Sequence, residues 1–204
     1  MNSSLRITLN ASPEQKQALV ALQAAFAQVC NALAPMVQEN RCWNRVTLHH
    51  LAYKSMREQF PQIGSQMVCN AIYSVCRTAR NLFQHPASPF YLGRMQGKPL
   101  PKLRFSDSCP VYFDRHTLSV KDGSLSLYTL DGRMRFLLSL SAEGESAFRE
   151  KKLREIVLSR RSDGAFELTF WFGDAQADEN GVAPSSTAHL QGNVPEYVKV
   201  EAAA

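Results

Sequence analysis

The amino-acid sequence predicts an α+β fold, because the spacing of its apolar residues changes partway along the chain. Before residue 86 the apolar residues recur every three or four positions, which is typical of helices. A Pro- and Gly-rich stretch follows at residues 86–101, and after it apolar and polar residues alternate as in strands. Asp-Gly dipeptides at residues 122–123, 131–132 and 163–164 indicate hairpin turns. Short strands at this density favour a small closed or partly closed β-barrel.

The first predicted elements are a strand and a long helix. Residues 5–10 alternate between apolar and polar side chains, as a short strand does. Ser12, Pro13 and Gln15 then form a helix start, in which Ser12 is the N-cap, Pro13 takes the first helical position and Gln15 completes a capping box. Pro35 is expected to end or kink this helix near the preceding residue, Ala34.

Two further helices are predicted before the Pro- and Gly-rich stretch. One covers residues 47–59, with Thr47 as its cap, and the other covers residues 65–84, after a break at residues 60–64. The inner face of the first comprises Leu48, Leu51, Ala52 and Met56. The buried stripe of the second comprises Met67, Val68, Ala71, Ile72, Val75, Ala79 and Phe83.

The rest of the chain is predicted to be mainly strands. The candidate strands are residues 102–105, 111–113, 118–121, 124–129, 133–138, 153–160 and 165–172. A charged connection at residues 142–152 is predicted to hold one helical turn. The acidic tail at residues 173–204 is expected to be mobile unless a partner orders it.

Charge is distributed unevenly along the chain. Between Arg41 and Arg135 there are 14 Lys or Arg against 5 Asp or Glu, whereas residues 173–204 have 1 against 5. A basic block of this kind attracts phosphate backbones through counterion release. The plain alternative is a solvated basic surface without a partner, but the cations lie among aromatic and amide residues, which favours nucleic-acid binding.

Several other classes of function lack support in the sequence. No glycine-rich dinucleotide loop, Walker loop or His-Glu-x-x-His motif is present. His49, His50 and Cys42 do not have the spacing of metal ligands, and the five cysteines are odd in number and widely spaced. We therefore predict no metal, no cofactor and no disulfide framework. Because there is no signal pattern and no run of eighteen apolar residues, a cytoplasmic protein is expected.

The third predicted helix carries a polar stripe that is suited to nucleic acid. Gln66 and Asn70 offer amides that can pair with adenine edges, and Tyr73 can stack or bind phosphate. Arg77 and Arg80 can reach backbone phosphates. From the preceding helix Lys54 and Arg57 lie alongside, and the two helices with their short break resemble a helix-turn-helix.

A second basic strip follows in the Pro- and Gly-rich stretch and the strand after it. Its cations are Arg94, Lys98, Lys102 and Arg104. Cations interleaved with aromatic residues suit RNA or a single strand, and Tyr91 is the better stacking candidate. Phe105 is instead expected to enter the core, because it alternates with Arg104. Trp43 is either a core anchor or a contact residue.

Three stretches of the sequence resemble a known family. They are CWNRVTLHHLAYKSMREQFPQIGSQMVCNAIYSVCRTAR, LPKLRFSDSCPVYFDRHTLSVKDGSLSLYTLDGRMRFLL and LREIVLSRRSDGAFELTFWF. Their order resembles the N-terminal half of the TnpB family of transposon-encoded, RNA-guided nucleases, to which type V CRISPR effectors are related. With the first strand and helix, the resemblance spans roughly residues 5–172.

The resemblance implies a wedge-type, OB-like β-barrel with an inserted three-helix recognition lobe. The barrel would comprise residues 1–11 and 86–172, and the lobe residues 12–85. In that family these parts hold the guide RNA scaffold and the duplex that flanks the target. The family then continues into a RuvC nuclease strand with a catalytic aspartate, and the matching position here is Ala183. The resemblance therefore implies a binding protein that is nuclease-deficient.

The sequence leaves four functions open. The first is a non-catalytic, nucleic-acid-binding subunit of an RNA-guided ribonucleoprotein, with guide-type structured RNA and target-flanking DNA as partners. A RuvC-like or other effector protein subunit would then act in trans. The alternatives are a sequence-specific DNA-binding repressor that uses the helix pair without RNA, one part of a split nuclease completed by a partner chain, and a degenerate fragment without activity.

Overall fold

Helices and strands are mixed in the computed structural model, which describes residues 3–173 and 191–202 and confirms an α+β fold. The helices are α1 (Pro13–Asn40), α2 (Arg45–Gln59), α3 (Ser65–Gln84), α4 (Leu92–Met95) and α5 (Ala142–Glu150). The strands are β1 (Ser3–Thr8), β2 (Lys102–Phe105), β3 (Val111–Phe113), β4 (Leu118–Lys121), β5 (Ser124–Thr129), β6 (Gly132–Leu137), β7 (Lys152–Arg160), β8 (Phe166–Gly173) and β9 (Val198–Glu201). The connection before β7 thus forms a nine-residue helix rather than a single turn.

Helix α1 begins as predicted and continues beyond its predicted end. The Ser12 backbone N–H donates to Gln15 Oε1 at 3.0 Å, and the Gln15 N–H donates to Ser12 Oγ at 3.2 Å, which is the reciprocal pair of a capping box. The prediction that Pro35 ends the helix is wrong, because α1 includes Pro35 and runs to Asn40. Burial of Val37 beyond the proline helps offset the lost backbone hydrogen bond.

Helix α1 is also apolar enough to cross a membrane, by length and composition alone. The mean hydropathy of its most apolar eighteen-residue window is 1.5, although polar residues such as Gln23 and Asn31 interrupt the apolar run. Of that window, 56% is buried inside the protein, and Phe26 and Leu33 are fully buried. Such burial is typical of a core helix.

Helix α2 starts earlier than predicted. Asn44, and not Thr47, is the N-cap: its Oδ1 accepts hydrogen bonds from the N–H groups of Val46 and Thr47, each at 3.0 Å. The predicted inner face is correct for Leu48, Ala52 and Met56, which are buried. It is wrong for Leu51, which is 48% exposed.

Helix α3 has the predicted bounds and the predicted buried stripe. All seven apolar residues of that stripe are buried. Burial extends well beyond it, because 14 of the 20 residues of α3 are buried, including Asn70 and Arg77. The helix is therefore enclosed on more than one side.

The strands form three antiparallel sheets. Their strand orders are β1-β8-β7-β3, β2-β9 and β4-β5-β6. The three predicted Asp-Gly turns join β4 to β5, β5 to β6 and β7 to β8. None of these sheets closes on itself within residues 3–173 and 191–202, so the predicted barrel is not confirmed in the described part of the chain.

The chain divides into two compact units, and the division falls within α1. The first unit comprises Met1–Ala21 and Pro110–Ala188, and the second comprises Leu22–Cys109 and His189–Ala204. The second unit therefore takes in the Pro- and Gly-rich stretch and β2 as well as α2 and α3. In the first unit, the Phe148 ring of α5 packs edge-on against two rings of β8, at centroid distances of 5.0 Å and 5.2 Å.

Part of the predicted mobile tail is a strand. Residues 174–190 lie outside the described residues, but Val198–Glu201 forms β9 and pairs with β2. The Asn81 side chain on α3 holds the segment that precedes this strand. Its Oδ1 accepts a hydrogen bond from Gly192 N at 3.0 Å, and its Nδ2 donates to the Asn193 carbonyl at 3.0 Å. This strand belongs to the second unit, with the helices.

Candidate nucleic-acid interface

A polar cavity lies where the α1–α2 connection meets the C-terminal half of α3. Its volume is about 340 Å³. The lining residues are Arg41, Cys42, Trp43, Asn44, Arg80 and Gln84. Asn44 is held here as the cap of α2, so the first turn of that helix sets the position of the connection. We call this cavity the arginine cavity.

Trp43 and Arg80 are fixed together in the arginine cavity. Arg80 Nη2 donates to the Trp43 carbonyl at 3.4 Å, and the Trp43 ring lies 5.7 Å from the Phe83 ring. Trp43 is half-buried, so it both anchors the connection to α3 and faces the cavity. Arg80 is exposed.

A second cavity, of about 390 Å³, lies between α2 and α3. The lining residues are Arg45, Val46, His49, Gln66, Cys69 and Ile72. The Arg45 guanidinium lies 5.5 Å from the centre of the Tyr73 ring, and the His49 ring stacks on Tyr53 at 4.6 Å. We call this cavity the interhelix cleft.

Cations outnumber acidic residues in the stretch of chain that lines these cavities. Residues 41–105 contain ten Lys or Arg and one acidic residue, Glu58, although Glu39 of α1 lies two residues before Arg41. Arg41, Arg45 and Arg80 form no ion pair with any other residue that the structure describes. Burial raises the pKa of the Cys76 thiol to about 12, and the charges of Arg80 and Arg45 oppose this rise. Uncompensated arginines beside a cavity favour an anionic ligand.

Arg41 joins the arginine cavity to the second basic strip. Its Nη2 donates to the carbonyl of Lys98 at 3.3 Å. Lys98 is exposed, as are Lys102 and Arg104 on β2, whereas Leu103 and Phe105 are buried. The core position of Phe105 is thus confirmed. We call the cations Arg41, Arg45, Arg80, Lys98, Lys102 and Arg104 the basic surface of the second unit.

Strand β9 adds charges beside the basic strip. Arg104 lies opposite Lys199, and Lys102 lies opposite Glu201. Lys199 and Glu201 form an exposed ion pair at 3.6 Å. Three cations and one carboxylate thus occupy this face of the β2–β9 ribbon, which keeps it positive.

Other predicted contact residues have different surroundings. Asn70 is 5% exposed and donates to Met67 Sδ at 3.8 Å, and Arg77 is 8% exposed. Arg57 donates to the Ile63 carbonyl and so holds the α2–α3 break, whereas Lys54 is exposed. The polar stripe of α3 is therefore not a continuous exposed surface.

The stacking candidate and its neighbour are held by local contacts. Tyr91 is half-buried, and its ring lies 2.5 Å from where a Cβ on Gly93 would be, so a larger residue at position 93 would have to displace the ring. Arg94 is exposed and donates through Nη1 to the Ser88 carbonyl at 3.3 Å. These contacts leave Arg94 at the surface of the second unit.

Three residues of the two cavities were missed by sequence reasoning as contact residues: Arg41, Arg45 and His49. The assignment of Thr47 as the helix cap placed Arg45 outside α2. The Asn44 side chain is an equally good cap, and it directs Arg45 and His49 along one helical face. A cap at Asn44 was therefore the signal that could have found Arg45 and His49.

Among residues 3–173 and 191–202, no three His, Cys, Asp or Glu side chains are grouped so that they could hold a metal ion. Compared with known proteins, the chain matches no protein-family model and no curated protein. The basic surface and its two cavities are therefore the features of the described chain that indicate a function.

Proposed function

We propose that this chain is the nucleic-acid-binding subunit of an RNA-guided ribonucleoprotein and binds a structured guide-type RNA through the second unit. The observation that carries the proposal is that Arg41 and Arg80 line the arginine cavity and Arg45 lines the interhelix cleft, without acidic partners among the described residues. Arginine binds phosphate in a planar, bidentate manner, and such contacts supply most of the affinity for nucleic acid.

Aromatic residues within the basic surface favour RNA as the ligand. Trp43 faces the arginine cavity, and Tyr53 stacks with His49 at the interhelix cleft. Side chains of this type stack on unpaired bases, which are common in the loops of structured RNA and absent from regular duplex DNA. Lys98, Lys102 and Arg104 extend the phosphate track beyond the cavities.

The burial within α3 favours RNA binding over the alternative of a DNA-binding repressor. A recognition helix has to present its base-reading residues to the major groove. Asn70 is 5% exposed and Arg77 is 8% exposed, so neither is presented by the second unit. A repressor that reads bases with these residues would first have to uncover them.

In this proposal the strands correspond to the wedge-type β-barrel of the TnpB family, and α1 to α3 correspond to its recognition lobe. A nuclease or other effector subunit acts in trans, and target-flanking DNA is a second ligand. The order of the resembling segments along the sequence supports this correspondence.

The proposal is tested by purifying the chain from its native host and sequencing the bound nucleic acid. One discrete structured RNA is expected, and the chain should bind that RNA in solution with an affinity that falls steeply as salt is raised. Protein without RNA, and without affinity for RNA at low ionic strength, would refute the proposal. Sequence-specific binding to duplex DNA that survives ribonuclease treatment would identify the repressor instead.

A further inference from the structure

The interhelix cleft has an apolar floor and a polar rim. Ile72 at its floor is fully buried, and Val46 and Cys69 form apolar walls. Arg45, His49 and Gln66 supply the polar groups. A small volume that is mostly apolar, with a few placed polar groups, is typical of a site for one planar organic ring.

The chemistry of the cleft selects a nucleotide over an uncharged ring. The Arg45 guanidinium supplies positive charge at the edge of the cleft. The Gln66 amide carries both donors and an acceptor, as pairing with a base edge requires. A nucleotide combines a planar base, which suits the apolar floor, with a phosphate, which suits the cationic edge.

The size of the cleft selects an unpaired base. A volume of about 390 Å³ is enough for one base with part of its sugar. A base in a duplex is stacked and paired, and extruding it costs a few kcal/mol. A base in a loop or single strand has already lost its pairing partner.

We propose that the interhelix cleft receives one unpaired nucleobase of a single-stranded segment, with its phosphate on Arg45, and that this site gives the chain a preference for single-stranded over duplex RNA. This inference rests on the proposed function, because it assigns the class of nucleic acid that the basic surface binds. The cleft binds a base only when that base is unpaired, whereas the cations around the cleft bind the phosphates of the backbone.

The test uses the full chain, a single-stranded RNA that carries 2-aminopurine, and a duplex RNA of equal length. Cys69→Phe fills the cleft, and Ser139→Phe, which adds the same ring at an exposed position of the first unit, serves as the matched control. We expect Cys69→Phe to weaken single-strand binding at least tenfold and to abolish the fluorescence change of 2-aminopurine. Duplex binding should change less than twofold, and Ser139→Phe should resemble the unaltered chain.

A thermal unfolding curve accompanies each variant, because Cys69 is half-buried and a larger side chain can disturb packing. If Cys69→Phe does not fold, Val46→Trp provides a second filling variant at a position that is 64% exposed. Equal loss of single-strand and duplex binding, or no loss from a folded filling variant, would overturn the inference and leave the proposed function in place. Failure of the unaltered chain to bind any RNA at low salt would overturn both.

Discussion

Replacing three arginines tests whether the basic surface contacts phosphates directly. The variant Arg41→Gln, Arg45→Gln and Arg80→Gln removes the cations that line the two cavities and lowers the formal net charge from +5 to +2. Glutamine keeps a polar side chain of high helix propensity, so the helices should persist. If each arginine contacts one phosphate of a single strand, the slope of log K against log salt should fall by about 2.

The same counterion argument sets the expected loss of affinity. With roughly 0.7 counterions released per phosphate, the loss of three contacts weakens binding about 50-fold at 0.15 M salt, relative to extrapolated 1 M salt. The assay is fluorescence anisotropy with a labelled structured RNA at four salt concentrations. Circular dichroism of the variant checks that the helices remain.

A matched control separates local contacts from overall charge. Arg149, Lys152 and Arg160 are exposed residues of the first unit, and their replacement by glutamine lowers the net charge by the same three units. This control should bind with nearly the original salt slope. The phosphate contacts proposed for the second unit do not exist if both triple variants lose the same affinity. The same conclusion follows if the variant of Arg41, Arg45 and Arg80 keeps the original slope of log K against log salt.

Three further predictions concern the stability of the second unit and the reactivity of its cysteines. Gly192→Ala should cost more than about 2 kcal/mol in urea unfolding, because its φ is 82° and its Cβ would lie 2.6 Å from a backbone nitrogen; Gly97→Ala, with φ 81° and open space, should cost less. Asn44→Ala should cost about 1 kcal/mol through loss of the α2 cap, and Asn44→Ser should recover most of it in the same assay. Cys76, with a pKa raised to about 12 mainly by burial, should resist alkylation at pH 8 while half-buried Cys42 reacts, as followed by mass spectrometry; equal rates would contradict this.

The raised pKa of Cys76 also predicts that the free energy of unfolding falls at high pH. The folded chain keeps this proton above the ordinary thiol pKa, so at high pH the unfolded chain binds fewer protons than the folded chain. The contribution of the Cys76 thiol to the free energy of unfolding is therefore constant below about pH 9 and is lost as the pH rises from there towards 12. The urea midpoints of the unaltered chain and of Cys76→Ala should converge over this pH interval. If the two plots of midpoint against pH stay parallel, the pKa of Cys76 is not raised.

Local signals in the sequence predicted local structure well. The capping box at Ser12 and the bounds of α3 are confirmed, because each depends on residues a few positions apart. The Asp-Gly turn at residues 122–123 is confirmed for a similar reason, since both residues have the positive φ angles that this hairpin turn requires.

Long-range packing determined what the sequence did not reveal. The polar stripe of α3 predicted an exposed face, but polar residues do not show whether another segment covers them, and Asn70 and Arg77 are buried. Strand β9 was missed because its partner, β2, lies about a hundred residues away in the sequence. Arg41 was missed as a contact residue because its role follows from the fold of the α1–α2 connection and not from any repeating pattern.

Three amide side chains on α1 explain how the second basic strip is held in place. Gln23 donates to the Cys109 carbonyl at 3.2 Å, and Gln38 donates to the Leu100 carbonyl. Between them Asn31 forms two bonds with the Phe105 backbone, at 2.7 Å and 2.9 Å, as a neighbouring strand would.

The positions of these amides are eight and seven residues apart, so they lie along one face of α1, and the segment from residue 100 to 109 runs antiparallel to the helix. Lys102 and Arg104 project from this anchored segment, and Arg41 holds the carbonyl of Lys98 just before it. Cations held on an anchored backbone lose less conformational entropy when they meet a phosphate chain than cations on a free loop. Amides that interrupt an apolar helix therefore order the strand that carries Lys102 and Arg104, which would favour the proposed RNA binding.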